Sequence, residues 1–264
     1  MWEKKGVALI TGASAGIGAI YADRLARQGF DLLLVARSED RLDRVAKTIR
    51  VQTGRSVETI AADLTDPVQL AGIEARLASD HNITMLVNNA GVGASAPLLQ
   101  SDPDAMRSMI ALNVDALTRL TYAAVPSFVR RGSGTIVNIA SVVAVAPEIL
   151  NGVYGGTKAY VLAFSQSLRH ELQDSGVTVQ VVLPGATATD FWDVAGTPLS
   201  ALPEQIVMTA DDMVDAALAG LDQGEFATIP ALADLGQWTA FETARLAMAG
   251  TLSSHKPADR YRLQ

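Results

Sequence analysis

Eight residues near the start of the chain, Thr11-Gly12-Ala13-Ser14-Ala15-Gly16-Ile17-Gly18, have the types and spacing to hold a pyrophosphate. Glycines let a backbone approach an anion without a Cβ clash, and first-turn N–H groups of a following helix point at it. Much further along, Tyr154 and Lys158 stand four apart at the start of a helical stretch, 152–175. That spacing puts phenol and ammonium on one face. Val161, Phe164, Leu168 and Leu172 continue an apolar face toward a core. Thirteen positions before the tyrosine, Ser141 follows the apolar run Ile136-Val137-Asn138-Ile139-Ala140. A hydroxyl at the carboxyl end of a parallel strand faces the ligand crevice. Each signal has an ordinary alternative when it stands alone: a tight turn, a core tyrosine, a solvated lysine. Their weight comes from the elements that would carry them.

Those elements alternate. The glycine turn follows the apolar run Val7-Ala8-Leu9-Ile10 and opens into Ala19-Ile20-Tyr21-Ala22-Asp23-Arg24-Leu25-Ala26, which reads as an amphipathic helix. Strand, glycine turn and helix in that order make a dinucleotide site of a weak pattern. Strands are predicted at 7–11, 31–36, 57–62, 83–88, 134–140, 177–183 and 226–229. Most are near-continuously apolar, as strands of a parallel sheet buried on both faces are. Asp66 before Pro67 predicts a helix start, and Gly29 and Gly176 sit where helix ends are expected. The prediction is an α/β fold: a Rossmann-like, doubly wound parallel sheet of about seven strands with helices on both faces. One domain is expected over 1–264, with a substrate loop at about 185–209 and a helical extension at about 231–264. A long irregular loop in a compact domain is usually functional.

Composition narrows the chemistry. A chain of 264 residues with 49% hydrophobic content fits one large α/β domain. A net charge of −7 argues against a nucleic-acid partner. With no cysteine there is no disulfide framework, thiolate metal site or cysteine nucleophile. His81, His170 and His255 lack ligand spacing, so no metal is expected. The polar start, Met1-Trp2-Glu3-Lys4-Lys5-Gly6, has no apolar signal region. Nor does an uninterrupted apolar stretch long enough for a bilayer occur. A cytoplasmic protein without a membrane partner is expected.

Taken together, the chain resembles the short-chain dehydrogenase/reductase family from Val7 to about Thr189. The residues that carry the resemblance are the 11–18 turn, Asn88-Asn89-Ala90-Gly91 after the fourth strand, Asn113, Ser141, Tyr154 with Lys158, and Pro184-Gly185 after the sixth strand. The resemblance implies a catalytic tetrad of Asn113, Ser141, Tyr154 and Lys158. Tyr154 would be the general acid in reduction and the base in oxidation. A free phenol titrates near ~10, and Lys158 beside it would favour the phenolate. Lys158 would also bind the nicotinamide-ribose hydroxyls, Ser141 would hold the substrate oxygen against Tyr154, and Asn113 would hold a water linking Lys158 to solvent.

The resemblance also implies the cofactor contacts: Gly12, Ser14, Ala15, Gly16, Ile17 and Gly18 at the phosphates, and Asp63 with Leu64 at the adenine. It places Asn89, Ala90 and Gly91 beside the adenosine ribose, and Pro184, Gly185, Thr187 and Thr189 at the nicotinamide. Relatives that prefer NAD place Asp at the end of the second strand. Here that position is Ala36, followed by Arg37 and Ser38, so nothing repels a 2′-phosphate and Arg37 can pair with one. NADP(H) is therefore expected, although many NADP-preferring relatives carry a basic residue in the glycine turn where this chain has Ala15.

For the substrate, Val143, Val145, Pro147, Leu150, Phe191 and Trp192 offer apolar lining. Phe191 and Trp192 either touch substrate or staple the loop to the core. These segments hold no cationic cluster, so a ketone, aldehyde or alcohol with an apolar body is expected. The alternatives are a 3-oxoacyl-thioester reductase that docks an acidic acyl carrier protein on Arg130 and Arg131, and a non-catalytic NADP-binding sensor or scaffold. From the resemblance, helices at about 104–130 and 152–175 and the chain beyond 225 predict a homotetramer, with a dimer as the alternative.

Overall fold

Side chains alternate across a strand, so each buried strand must be covered twice. The structure, a computed structural model, describes residues 5–261. The expected signal-free start at Met1–Lys4 and the last three positions of the extension lie outside the described residues. Strands β1 (Val7–Thr11), β2 (Asp31–Ala36), β3 (Val57–Ala61) and β4 (Ile83–Asn88) alternate with helices α1 (Gly16–Arg27), α2 (Glu39–Thr53) and α3 (Pro67–Ser79). Then come α4 (Pro103–Ile110), α5 (Leu117–Arg131), β5 (Gly134–Ile139), α6 (Gly152–Glu171) and β6 (Val177–Val182). After two short strands, β7 (Thr187–Ala188) and β8 (Met208–Thr209), with the short α7 (Phe191–Ala195) between them, α8 (Ala210–Asp222) leads to β9 (Ala227–Thr228). Seven strands form one parallel sheet in the order β3-β2-β1-β4-β5-β6-β9.

The alternation then sorts the core. Ala8, Ile10, Leu32 and Leu34 pack with Tyr21 and Leu25 of α1, Leu42 of α2 and Val214 of α8. Leu9, Leu33 and Val35 face the other way, onto Leu70 of α3, Leu120 of α5 and Leu168 of α6. Asp66 does cap α3: its carboxylate accepts from the N–H groups of Val68 and Gln69 at 2.9 Å.

The structure differs from the sequence expectation in five respects. Ala62, Ala140 and Leu183 fall just past their strands but still donate to the neighbouring strands. The final strand is Ala227–Thr228 rather than 226–229. Helix 152–175 stops at Glu171, because Ser175 takes over the bonding: its hydroxyl donates to Leu172 O and accepts from Val177 N–H. The helix expected at about 104–130 is not uniform. Between α4 and α5, Ala111–Ala116 form a π-helical turn, and Asn113 sits in it. Finally, 185–209 is not irregular throughout. It holds β7 and β8, paired with each other in parallel, and α7.

The chain divides into two units, Met1–Pro230 and Ala231–Gln264. The second contains α9 (Leu235–Met248), capped by the Asp234 carboxylate on Gly236 N–H. No residue of α9 is buried, although it carries Leu235, Phe241, Leu246 and Met248. Among the described residues no helix is long and apolar enough to cross a membrane.

Candidate active site

The glycine turn is shaped by a side chain from a distant strand. Asn89, just past β4, donates its carboxamide to Thr11 O (2.9 Å) and Gly12 O (3.3 Å). The Thr11 hydroxyl in turn accepts from the N–H groups of Asn89 and Ala90, both at 3.0 Å. A Cβ on Gly18 would meet Asn89 Nδ2 and Gly12 O at 2.5 Å. Gly12 and Gly16 have φ of +67° and +52°, the left-handed region that other residues rarely adopt. Helix α1 begins after Ala15 with no side-chain cap. Its first-turn N–H groups therefore have no side-chain cap, a helix start of the kind that binds phosphate. The carboxamide of Asn89 is spent on this turn.

Beside the cradle, Arg37 is exposed, and Ser38 takes the cap position of α2 without using its hydroxyl as a cap. The Asp63 carboxyl is held below the usual carboxylate range, first by Thr65 N–H, then by the Thr65 hydroxyl and the charge of Arg37, against a partial burial that opposes them. Leu64 turns its side chain into the core under α3, so only its backbone is left for a ligand.

The catalytic candidates come together at the carboxyl ends of β4, β5 and β6. Ser141 leaves β5 with an extended backbone, and its hydroxyl reaches Pro184 O at 3.3 Å. Pro184 O also accepts from Val142 N–H at 3.0 Å, which ties the two strand ends together. Asn151 caps α6, accepting from the N–H groups of Val153 (2.9 Å) and Tyr154 (3.3 Å). Its amide donates to Ala96 O at 2.7 Å and Ser101 Oγ at 3.0 Å. The start of the helix that carries Tyr154 is thereby fixed to the loop after β4. Lys158 is buried and donates to Ile139 O at 2.9 Å, with its ammonium 5.8 Å from the Tyr154 ring centre.

Asn113 is fully engaged. Its Nδ2 donates to Val92 O (2.8 Å) and Thr157 Oγ1 (3.1 Å), and its Oδ1 accepts from Val92 N–H (3.0 Å). A Cβ on Gly91 would lie 3.1 Å from Asn113 Oδ1 and 3.5 Å from Lys158 Nζ. Asn113 and Lys158 thus flank one glycine. The commitment of the amide to Val92 accounts for the π turn, since widened turns of this kind re-aim a side chain inside a helix.

Burial dominates the electrostatics. It pushes the Tyr154 phenol up to about 12, against the lowering effect of a hydrogen bond with Ser141, and pulls the Lys158 ammonium down to about 8. For the tyrosine this is opposite to the direction expected from the Tyr-Lys spacing. The reason is that both groups lie in an enclosed region where charge is disfavoured, so Tyr154 is held as a proton donor at neutral pH.

Apolar walls surround the phenol. Tyr154, Val143 and Met109 form a buried cluster, with Leu150 and Phe191 packed on it. The Phe191 ring centre is 5.7 Å from that of Tyr154. Trp192 instead turns inward, its indole N–H donating to Thr187 O at 2.9 Å, so it staples the loop. The Thr187 hydroxyl donates back to Gly185 O at 3.2 Å. Across the crevice, a Cβ on Gly16 would meet the Thr189 methyl at 3.1 Å, so the loop after β6 comes up to the glycine turn. Sequence reasoning missed Thr11, Asn151, Thr157 and Gly93 as positioning residues. Only Asn151 left a local signal, an Asn directly before a helix start. Arg131 is not available to a carrier: its guanidinium donates to Ser133 O, His81 O and Ile83 O.

Comparison with known proteins places this geometry. A sequence profile described as short chain dehydrogenase matches residues 6–198. The chain superposes on a short-chain dehydrogenase from Sphingobium yanoikuyae, solved in complex with NADPH, with a TM-score of 0.94 and 49% identity over 97% of this chain and 100% of that one. It also superposes on the bulky-bulky ketone specific alcohol dehydrogenase from Comamonas testosteroni, at TM-score 0.89 and 42% identity over 97% of this chain and 98% of that one. Among curated proteins, the very-long-chain 3-oxoacyl-CoA reductase of Bos taurus is 38% identical over 186 residues, 69% of this chain and 59% of the bovine protein.

Proposed function

Because this chain belongs to the short-chain dehydrogenase/reductase family, we propose that it is an NADP(H)-dependent oxidoreductase interconverting a ketone or aldehyde with its alcohol. The observation that carries the reading is that Ser141, Tyr154 and Lys158, all buried, lie together, with Ser141 hydrogen-bonded to the Tyr154 phenol and the Lys158 ammonium 5.8 Å from its ring centre.

The cradle fits a dinucleotide. Gly12, Gly16 and Gly18 let Asn89, Ala90 and Thr189 close onto the turn where a Cβ would stand, and the first turn of α1 carries N–H groups without a side-chain cap. Residues 14–18 would hold the pyrophosphate, Asp63 with the Leu64 backbone the adenine, and Ala90 with Gly91 the adenosine ribose. Arg37 and Ser38 would hold a 2′-phosphate, Lys158 the nicotinamide ribose, and Pro184, Gly185, Thr187 and Thr189 the nicotinamide end. The complex of the Sphingobium relative with NADPH supports the choice of cofactor. Bound there, the reduced nicotinamide supplies hydride.

The protein's own part is polar positioning. Ser141 and Tyr154 present two hydroxyls to the carbonyl oxygen. The Tyr154 phenol, protonated because it is buried, gives its proton to the developing alkoxide. Lys158, still charged below about 8, stabilises the phenolate left behind. Asn113 keeps the Gly91–Val92 segment against Lys158. Val143, Leu150 and Phe191 exclude water and take the apolar body of the substrate. Trp192 supports them by fixing their loop.

A second reading, reduction of a 3-oxoacyl thioester, draws support from the bovine relative. The use of Arg131 by the fold argues against an acyl carrier docking there. A pure sensor is disfavoured because all four tetrad positions are kept and three of them converge through hydrogen bonds. The reading extends to a cytoplasmic homotetramer, or a dimer. Tyr122 and Val129 are exposed on α5 and Tyr160 on α6, and Tyr122 and Tyr160 both stack on Phe164. Light scattering on the purified protein tests the assembly, and a mass near 27.8 kDa would refute it. For the activity, NADPH consumption is followed with a panel of simple ketones, aldehydes and 3-oxoacyl thioesters. Absence of turnover with every class, despite NADPH binding, would overturn the enzymatic reading.

A further inference from the structure

Gly93 lies in the loop after β4, outside the family's glycine turn and away from the tetrad. A Cβ placed on it would meet Phe191 Cζ at 2.2 Å, Cε2 at 2.8 Å and Cε1 at 3.0 Å. Its backbone φ is not in the left-handed region, so conformation alone does not demand glycine here. What position 93 supplies is room, and the ring edge of Phe191 fills it. The same ring packs against Tyr154 on one side and meets Trp192 edge-on at 5.6 Å on the other.

The two segments are also held together directly. Ser95 N–H donates to Ala195 O at 3.0 Å and the Ser95 hydroxyl to the same oxygen at 2.8 Å. Thr197 Oγ1 donates to Ser95 Oγ at 2.8 Å. Residues 93–95 and α7 are therefore clasped across the mouth of the pocket, with Phe191 seated at one end of the clasp.

We propose that Gly93 and Phe191 form a size-selecting pair: the empty position 93 takes the edge of the Phe191 ring, and the depth of this seat sets how much room the ring, which packs beside Tyr154, leaves there for the larger substituent of a ketone. The proposal rests on the carbonyl-reductase reading. A methyl group at position 93 cannot share the seat with the ring. Because the atoms it meets are the far edge of one side chain, the ring yields rather than the backbone. The ring is bounded by Trp192 and by position 93, so a ring pushed out of its seat moves further onto Tyr154, against which it already packs. Ser95 is a positioning residue in this scheme, since it sets where the segment carrying Phe191 lies.

The experiment compares Gly93→Ala, Phe191→Ala and the double variant. Acetone serves as a small ketone and benzophenone as one flanked by two rings, with kcat/KM measured for each under NADPH. Gly93→Ala should lower the benzophenone-to-acetone ratio at least tenfold. Phe191→Ala should raise it, and adding Gly93→Ala to Phe191→Ala should leave it unchanged, since the ring that transmits the effect is gone. NADPH affinity, read by fluorescence titration, should stay within about twofold in all three, which separates a local change from a folding defect. An independent readout is the change in Trp192 emission on adding benzophenone to the NADP⁺ complex, in a background with Trp2 and Trp238 replaced by Phe. It should be lost in Gly93→Ala and kept in wild type even if turnover is slow. Additive effects of the two substitutions, or a Gly93→Ala protein with unchanged ratio and unchanged ketone binding, would overturn the pair. If wild type binds benzophenone with the predicted emission change but transfers no hydride, the reductase reading fails while the pair stands. If it neither binds nor reduces either ketone, both fail.

Discussion

Replacing Asn113 with Ala removes three hydrogen bonds at once, those to Val92 O, Val92 N–H and Thr157 Oγ1. Each neutral bond of this kind contributes about 0.5–1.5 kcal/mol net, more when a buried partner is orphaned. Thr157 is buried, whereas Val92 is only half-buried and water can serve it in part. The expected loss of stability is therefore about 2–3 kcal/mol. At roughly 2–4 °C per kcal/mol for a chain of this size, the melting temperature should fall by roughly 5–10 °C. Urea unfolding of the cofactor-free protein measures the change. Asn113→Asp provides a control with the same shape. Its charged carboxylate would accept from Val92 N–H but face Val92 O without a proton to donate. That variant should lie close to Asn113→Ala at neutral pH and approach wild type as the pH is lowered, because the protonated acid can donate where the amide did. Activity should fall in both, since the Gly91–Val92 segment beside Lys158 loses the amide's donation to Val92 O. An Asn113→Ala protein with wild-type stability would refute the claim that the amide holds the loop. If its activity were nonetheless abolished, Asn113 would be acting on the chemistry itself.

Three further outcomes follow from the site. Tyr154→Phe keeps the ring in its apolar cluster but removes the donor, so turnover should fall at least ~100-fold, the usual contribution of a positioned acid, with NADPH binding kept; near wild-type turnover would remove Tyr154 from that role. Arg37→Ala should weaken NADPH roughly tenfold, the low end of a charge-assisted contact because the group is exposed, and leave NADH little changed, and equal weakening of both in titrations would disprove the 2′-phosphate assignment. Lys158 loses its proton near 8, and reduction needs the ammonium, so kcat/KM for reduction should be level below that pH and decline above it. A reduction profile that climbs through 8 would contradict the assignment.

What could be read from the chain and what could not divide along a physical line. The glycine turn, the Tyr154–Lys158 spacing and Ser141 after β5 were legible because strand and helix periods fix where a side chain points within its own element. Ala36-Arg37-Ser38 was legible for the same reason, as the end of an apolar run. The residues that hold these groups in register act between elements far apart in sequence. Asn89 reaches back to Thr11, Asn151 to Ala96, and Asn113 to Val92 and Thr157. No local period encodes such bonds, and the π turn around Asn113 follows from one of them. The net direction of the Tyr154 shift was not legible either, for a related reason. Spacing shows that a lysine is near, but the size of the burial effect depends on what encloses both groups.

One signal of these long-range ties is nevertheless present in the strands themselves. The runs at 83–88 and 134–140 are largely apolar, yet each contains an asparagine near its carboxyl end. In the fold Asn88 Nδ2 donates to Asn138 Oδ1 at 2.9 Å and Thr121 Oγ1 at 3.0 Å, and Asn138 Nδ2 donates to Ser165 Oγ at 2.9 Å. All four side chains are buried. Burying an amide without a partner costs several kcal/mol, so an amide inside a strand that is otherwise Val, Leu and Ile implies a polar partner on whatever packs against it. Here the partners lie on α5 and α6, and the network forms a polar floor joining β4, β5 and the two helices. Lys158 lies on the same helix, about two turns before Ser165. The placement of the proton donor thus depends on hydrogen bonds that fix the register of α6 against the sheet, which apolar packing alone, being non-directional, would leave loose.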